Sequence, residues 1–194
     1  MRPAADPTAR PTSSARDLAT PRAERLTSSP IAVLEFREAM SRLGAAATVV
    51  TTDGPAGRFG ITASAVCSVT DAPPTLLVCI NRATRLHDAV LANGALCVNL
   101  LGRDHEALAL RFARRGTSTE ERFAGETWRP LVTGAPALAS AVVAFDCRVA
   151  ACREVGTHGV IFAEVVGLVF TEKAESLVYF DRAFHALGAA APAP

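Results

Sequence analysis

The sequence predicts a mainly β protein, folded as one antiparallel barrel with flanking helices. Segments with a strand-like pattern outnumber helical segments in the 194 residues. Several connections between these segments are too short to hold a crossover helix, which a doubly wound parallel sheet would need. No GxGxxG turn opens a helix after a strand, so the usual dinucleotide-binding turn is missing. An antiparallel barrel fits all three observations.

A helix is predicted just after residue 30. The pair Ser29-Pro30 suits an N-cap followed by the first helical position, where the missing N–H of proline costs nothing. Phe36, Met40 and Leu43 then recur at helical spacing and give the helix one apolar face. Gly44 is expected to end it.

Three strands are predicted next. The first, Ala46–Thr52, is followed by a glycine-rich hairpin loop at 53–60. From 61 to 70, apolar residues alternate with mostly hydroxyl residues, which predicts one strand with two different faces. Two prolines set a turn at 71–74, and the apolar run Leu76–Ile80 is typical of a buried return strand.

The rest of the chain mixes short helices with longer strands. Helices are predicted at 84–91 and at 104–114, the second capped by Asp104. A loop is predicted at 116–121, followed by irregular structure around Phe123, Trp128 and Leu131. The further predicted strands lie at 95–101, 141–152, 159–170 and 176–180.

Composition narrows the classes of function. Hydrophobic residues make up 49% of the chain, enough for one domain with a sizeable core. A net charge of +1, with scattered arginines, argues against nucleic-acid binding. The longest apolar stretch, 159–170, is too short to span a membrane. Five cysteines without CxxC spacing favour reduced thiols in a cytoplasmic protein over a disulfide or metal framework.

The N-terminal segment differs from the rest. Residues 1–30 are rich in Pro, Ser, Thr, Ala and Arg and lack aromatic residues, which predicts a disordered leader. An organellar transit peptide is the alternative, and Asp6, Asp17, Glu24 and five prolines weaken it. The folded domain is expected at 31–188, before a flexible tail at 189–194.

Several sequence motifs, in a fixed order, resemble one enzyme family. They are FREAMSRLGAAATVVTTDGPAGRFGITASAVCSVTDAPPTLLVCIN at 36–81, LCVNLL at 96–101, FDCRV at 145–149, GTH at 156–158 and VYFDRAFHAL at 178–187. Together they resemble the flavin reductases that serve two-component monooxygenases. The sequence is similar in particular to the flavin reductase of the pyrimidine-utilisation pathway and to the reductase component of 4-hydroxyphenylacetate 3-monooxygenase. The resemblance covers nearly everything after residue 30.

This resemblance implies a fold and an activity. The fold is the FMN-binding split barrel, a Greek-key antiparallel barrel that works as a homodimer with flavin near the subunit interface. The activity is hydride transfer from NADH or NADPH to FMN or FAD, with release of the reduced flavin to a separate monooxygenase. Such transfer needs no acid–base pair. The chain shows no Ser-His-Asp elbow and no metal-ligand spacing among its four histidines.

Two other functions stay open for the same barrel. In one, the flavin remains bound and a substrate is oxidised or reduced directly. In the other, the protein is a non-catalytic module that binds flavin or haem. Steady NADH consumption that scales with added free flavin would distinguish the reductase from both.

By resemblance, two strands and a helix start are expected to hold the flavin. The first strand hydrogen-bonds the flavin through backbone and hydroxyl groups, and the end of the second lines its ring. Arg85 falls where relatives place a phosphate-contacting residue at a helix start, and Arg82 competes for that role. Without the resemblance, an amphipathic strand and a surface arginine explain these positions. The matching strand residues are Gly60, Thr62, Ala63 and Ser64, then Cys79, Ile80 and Asn81.

The motif at Gly156, Thr157 and His158 resembles the one beside the nicotinamide site. His158 is therefore expected to position NAD(P)H, although a lone histidine entering a strand is more often structural. Relatives often carry Asp where Thr157 stands, so the resemblance does not extend to a charge at that position.

Three further residues remain ambiguous. Arg182 and His185, after the last predicted strand, would close over the cofactor or hold a dimer together, and a structural role explains them equally well. Thr48 stands where the similar reductases have Asn, so an amide that could contact a ligand is missing.

Overall fold

The computed structural model describes residues 30–172 and 175–188. The predicted leader, apart from Pro30, and the predicted tail at 189–194 lie outside these residues. The bounds predicted for the first helix are wrong, because it begins at Val33 with Ala32 as its N-cap, instead of at Pro30, and ends at Ser41, before Gly44. Within the described ranges, no helix is both long enough and apolar enough to cross a membrane.

The described residues form four α-helices, one 3₁₀ turn and twelve strands. The helices are Val33–Ser41 (α1), Arg85–Asn93 (α2), Glu106–Ala113 (α3) and Thr119–Phe123 (α4). The strands are Ala45–Ala46 (β1), Thr48–Thr52 (β2), Phe59–Ala63 (β3), Val66–Asp71 (β4), Pro74–Asn81 (β5), Ala95–Leu100 (β6), Trp128–Pro130 (β7), Pro136–Leu138 (β8), Val143–Val155 (β9), His158–Phe170 (β10), Ser176–Phe180 (β11) and Ala183–Leu187 (β12).

Seven of these strands form one antiparallel sheet. Its order is β3-β2-β6-β9-β10-β5-β4, with every neighbouring pair antiparallel. The edge strands β3 and β4 are joined only by Ser64 and Ala65. Since so short a link spans only about 10 Å, the sheet must curl until the end of β3 lies close to the start of β4. The N–H of Cys79 donates to the Ala65 carbonyl at 3.0 Å beside this junction. The predicted fold class, a mainly β antiparallel barrel with flanking helices, is confirmed.

The single strand predicted at 61–70 is wrong. Strand β3 ends at Ala63, and β4 begins at Val66 on the opposite edge of the sheet. The alternation of residue types continues through this break, so periodicity gave no sign of it. Ser64 and Ala65 are exposed where the chain passes from one edge to the other.

The region from 103 to 138 holds more regular structure than predicted. A 3₁₀ turn at Arg103–His105 precedes α3, and Asp104 does not cap that helix. The predicted loop at 116–121 contains the start of α4, which Ser118 caps by accepting from the Glu121 N–H at 3.1 Å. This Ser-x-x-Glu capping box was visible in the sequence. The segment predicted as irregular also forms the β7–β8 hairpin.

The last strand, β12, was also missing from the prediction. It pairs with β11 across a two-residue turn at Asp181 and Arg182, whose φ angles are 47° and 65°. Hairpin turns of this kind usually carry glycine or asparagine, so Arg182 gave no turn signal. Strands β1, β11 and β12 form a separate three-stranded sheet.

The core consists of two packed clusters. In the first, α2 buries Leu86 and Val90 against Val50, Ile80 and Ile161 of the barrel. The second contains buried residues of α3 and of the β8 region, and Phe112 makes an edge contact there with the ring of Phe123. Both helices are therefore held against the barrel by apolar burial.

Asp146 on β9 is fully buried and organises the loop before β8. Its carboxylate accepts from the N–H groups of Val132 and Thr133, at 2.6 and 2.7 Å, and from the Thr133 hydroxyl. Several hydrogen bonds to one buried carboxylate compensate for its removal from water. Asp146, in the FDCRV motif, thus has a structural role.

We expect Asp146→Ala to lower the free energy of unfolding by about 2–4 kcal/mol, because it leaves two backbone donors without their acceptor. Urea denaturation measures this change. Asp71→Ala, at the exposed end of β4, is the matched control and should change stability by less than about 0.5 kcal/mol. Equal stability of the two variants would contradict the role given to Asp146.

Candidate functional site

A cleft of about 680 Å³ opens beside the edge strand β3. Its walls are β3, the N-terminus of α2, and the segment that joins α3 to α4. This volume lies in the range of small-molecule and cofactor sites. The site therefore combines a strand, a helix start and a loop.

The β3 wall contains Phe59, Gly60, Ile61 and Thr62, and packing fixes Gly60 and Thr62. A Cβ at Gly60 would lie 2.6 Å from Cε1 of Phe112, which is buried in the core. The Thr62 hydroxyl donates to the Ala109 carbonyl of α3 at 2.5 Å. Gly60 has no side chain and the Thr62 hydroxyl is already engaged, so the polar groups that these two residues offer the cleft are backbone groups.

The α2 end contributes Thr84 and Arg85. The N-cap Thr84 does not cap the helix with its side chain; its hydroxyl donates instead to the Asn81 carbonyl at 2.7 Å. The first N–H groups of a helix lack intrahelical acceptors and carry a partial positive charge, which suits an anion. The exposed guanidinium of Arg85 adds a full charge at the same place.

The loop wall adds three more arginines, which the sequence reasoning missed. Arg114 and Arg115 are exposed on the cleft. Arg122 donates to the carbonyls of Phe112, of Arg114 at 2.6 Å and of Thr117 at 3.3 Å. Burial lowers the pKa of its guanidinium. Arg122 thus shapes the loop, while the other two give the cleft a positive edge; the adjacent pair at 114–115 was the available signal.

The predicted nicotinamide residues lie beside Asn81 and Arg82, at the start of the short segment that leads from β5 into α2. His158 pairs with Asn81 across β10 and β5, and the Arg82 N–H donates to the Thr157 carbonyl at 3.0 Å. The exposed His158 ring contacts the Thr157 hydroxyl through Nδ1 at 2.9 Å. Residues 81–85 therefore connect the His158 turn to the cleft, with Arg85 at the cleft end.

The structure separates the two arginines that competed for one role. Arg82 forms an ion pair with Glu154 at 2.9 Å and does not line the cleft. Arg85 lines it and has no ion-pair partner in the part of the chain that the structure describes. Of the two, only Arg85 is placed to contact an anion in the cleft.

Five other predicted flavin residues, Ala63, Ser64, Cys79, Ile80 and Asn81, do not line this cleft. The Ala63 carbonyl accepts from the buried Thr48 hydroxyl at 2.7 Å, so Thr48 supports the β2–β3 pair. Ser64 is exposed at the barrel junction. Ile80 is fully buried, so it could offer a ligand only its backbone. Burial, with a smaller contribution from the Cys67 charge, raises the pKa of Cys79.

The ambiguous C-terminal residues support the fold. Arg182 pairs with Glu38 of α1 at 2.6 Å. His185 contacts the Phe180 carbonyl through Nε2 at 3.2 Å. These contacts fasten the β11–β12 hairpin to itself and to α1, away from the cleft.

Comparison with known proteins places this architecture in a family. Residues 40–188 match the family described as flavin reductase like domain. The chain belongs to this family. A curated relative, "FMN reductase (NADH) RutF" of Ancylobacter novellus, is 59% identical over 153 residues, which cover 79% of this chain and 84% of that protein.

Solved structures of flavin reductases share the fold. A candidate flavin reductase from Haemophilus somnus superposes with a TM-score of 0.78 at 42% identity, over 80% of this chain and 99% of the other. BorF, described as the flavin reductase component of a bacterial two-component tryptophan halogenase, gives a TM-score of 0.74 at 26% identity, over 81% and 99%. The resemblance seen in the sequence motifs is thus confirmed.

Adding one methyl group to the β3 wall tests how tightly it packs. We expect Gly60→Ala to lower the free energy of unfolding by about 1–3 kcal/mol, because the new Cβ would overlap the buried Phe112 ring. Gly44→Ala is the control, since its Cβ would meet nothing closer than 3.8 Å. Chemical denaturation of both variants decides the matter, and a fully stable Gly60→Ala protein would show that the wall is looser than described.

Proposed function

We propose that this protein is an NADH-dependent FMN reductase that supplies reduced flavin to a separate monooxygenase. The observation that carries the proposal is the cleft itself, where strand β3 faces a positively charged helix start. His158 pairs with Asn81, at the beginning of the short segment that leads to this helix. Family membership and the relative named FMN reductase (NADH) support the same assignment. When bound, the flavin and the nicotinamide supply the hydride chemistry between nicotinamide C4 and flavin N5.

The flavin is proposed to lie in the cleft with its phosphate at α2. The first-turn N–H groups and the Arg85 guanidinium would hold the phosphate, which is the usual way in which a helix start binds an anion. Arg114 and Arg115 would add attraction at the cleft edge. The β3 backbone around Gly60, and the end of β5 at Asn81, would then face the rest of the flavin.

The nicotinamide is proposed to bind beside Gly156, Thr157 and His158. All three are exposed, and the β10–β5 pairing places them next to Asn81 at the end of the proposed flavin strand. His158 would position the donor through a hydrogen bond, without taking or giving a proton. Thr157 is uncharged, so positioning here depends on hydrogen bonds and shape.

Release of the reduced flavin fits the open construction of the site. Arg85, Arg114 and Arg115 are all exposed, so their phosphate contacts would be screened by water and salt. Modest affinity allows the flavin to behave as a substrate and pass to a second protein. BorF, a structural neighbour, is described as one component of such a two-component system.

We also propose a homodimer in a reducing compartment, the cytoplasm. Helix α1 has no buried residue, and Leu34 and Phe36 are 78% and 57% exposed. Such a helix gains stability when a second subunit covers its apolar side chains.

The five cysteines are free thiols, and burial raises the pKa of Cys147 to about 12. Thiols that stay reduced are typical of cytoplasmic proteins.

A kinetic matrix tests the proposed activity. NADH and NADPH oxidation are measured with FMN, FAD and riboflavin as acceptors. The proposal expects NADH with FMN to give the highest kcat/KM, with turnover proportional to added free flavin. A tightly yellow protein without turnover would indicate a flavin-binding module, and turnover only with another organic substrate would indicate a flavin-bound oxidoreductase.

The phosphate site predicts a difference between two arginine variants. Arg85→Gln should weaken FMN binding by about ten- to a hundredfold, the cost of losing one charge-assisted contact, while riboflavin binding stays unchanged because riboflavin has no phosphate. Arg82→Gln is the matched control, and its FMN affinity should change by less than about threefold, since it loses only an exposed ion pair. Fluorescence titration measures these affinities. Equal losses of FMN affinity in both variants, or an equal loss of riboflavin affinity in Arg85→Gln, would contradict binding of the phosphate at α2.

The proposed nicotinamide site predicts a selective defect in His158→Ala. The lost hydrogen bond should lower kcat/KM for NADH by about ten- to a hundredfold, with FMN affinity changed less. Anaerobic stopped-flow reduction at saturating flavin, with NADH varied, isolates this step. If reduction keeps its rate and half-saturation while FMN binding collapses, His158 belongs to the flavin site instead.

A further inference from the structure

His87 is a buried histidine that the proposed reaction does not use. Its side chain, on α2, is only 5% exposed. Nδ1 contacts the Asp88 carboxylate at 2.9 Å. Nε2 is buried and has no hydrogen-bond partner among the described residues. Since unsatisfied buried polar atoms are uncommon, this nitrogen calls for an explanation.

The Nε2 atom points toward Gly159 and Cys152. A Cβ at Gly159 would lie 2.4 Å from His87 Nε2 and 3.2 Å from the Cys152 sulfur. The imidazole nitrogen and the thiol therefore border the same small space, which only a glycine leaves open. Gly159 directly follows His158, and Cys152 lies on the neighbouring strand β9. The Cys152 side chain packs against the barrel core but is only half-buried, so part of it remains open to a small solute.

We propose that Cys152 is a peroxide-reactive thiol activated by His87. With the Nδ1 proton donated to Asp88, Nε2 carries the free lone pair. No hydrogen bond joins Nε2 to the Cys152 sulfur among the described residues, so the thiol proton would reach Nε2 through a peroxide molecule that bridges the two atoms. A thiolate is the reactive form of cysteine, and an adjacent imidazole is a common way of producing it. In this proposal Asp88 is the carboxylate that orients the imidazole, His87 is the base and Cys152 is the nucleophile.

The reaction is a two-electron oxidation of sulfur by hydrogen peroxide. The Cys152 proton moves to His87 Nε2, and the sulfur attacks one peroxide oxygen. A sulfur–oxygen bond forms as the oxygen–oxygen bond breaks, and the departing hydroxide takes the proton from His87 as water. The product is a sulfenic acid, which a thiol can reduce. Peroxide is at hand because free reduced flavin reacts with oxygen to give oxidised flavin and hydrogen peroxide.

Oxidation at this position would reach the nicotinamide site. An added oxygen must fit into the space that Gly159 and His87 leave, and the chain there continues directly into His158. Displacement of His158 would slow the use of NADH when reduced flavin is lost to oxygen. This regulatory consequence depends on the proposed nicotinamide site, whereas the oxidation of Cys152 does not.

Trapping of the sulfenic acid tests the proposal on the intact protein. Dimedone is present during exposure to hydrogen peroxide, and mass spectrometry of peptides follows the adduct at each cysteine. Cys67, which is more exposed, is the internal control. Cys152 should be labelled faster than Cys67, and His87→Gln should slow labelling of Cys152 by about tenfold or more without affecting Cys67, because it removes the proton acceptor. Faster labelling of Cys67 in the wild-type protein would overturn the proposal, and this readout needs no folded variant.

The same variants separate the chemistry from its consequence. Circular dichroism confirms that His87→Gln is folded, and unchanged labelling of Cys152 in the folded variant would refute the role of His87. Peroxide should reduce the NADH oxidation rate of the wild-type protein and spare Cys152→Ser. If Cys152 is labelled but activity persists, the thiol reacts as proposed and the link to His158 is wrong. NADH turnover before peroxide treatment reports separately on the proposed function.

Discussion

The two-residue connection between β3 and β4 is the constraint on which the site depends. Because Ser64 and Ala65 join the two edges of a seven-stranded sheet, the sheet must curl, and the end of β3 must lie close to the hairpin of β4 and β5. Helix α2 leaves the end of β5 and packs its apolar face on the barrel. The start of that helix thereby stands opposite β3, and the cleft opens between them.

Most of the polar groups that this cleft leaves available to a ligand belong to the backbone. Gly60 is small because Phe112 fills the adjacent space, and the Thr62 hydroxyl is engaged with α3. Arg122 uses its guanidinium to hold loop carbonyls in place. The polar side chains of Thr62 and Arg122 therefore shape the walls. The polar surfaces left for binding are strand backbone, the helix N-terminus and a few exposed arginines.

Sequence patterns predicted the barrel but not all of the cleft. Long apolar strands such as β10 are evident from composition. The family resemblance singled out Gly60 and Arg85, which line the cleft, and His158, which does not. Periodicity could not reveal the break at Ser64, because residues on both sides keep the same alternation. Arg114 and Arg115 were missed for another reason: they lie on a loop, and only the tertiary fold brings that loop to the helix start. Which arginine faces the cleft likewise depended on the pairing of Arg82 with Glu154.

A crystal structure of the protein with bound FMN would test the central claim most directly. The account predicts that the phosphate accepts hydrogen bonds from the first-turn N–H groups of α2 and from Arg85, with the flavin extending along the β3 backbone toward Asn81 and His158. Flavin bound elsewhere on the barrel, or a phosphate held by Arg82 with the α2 N-terminus empty, would contradict it.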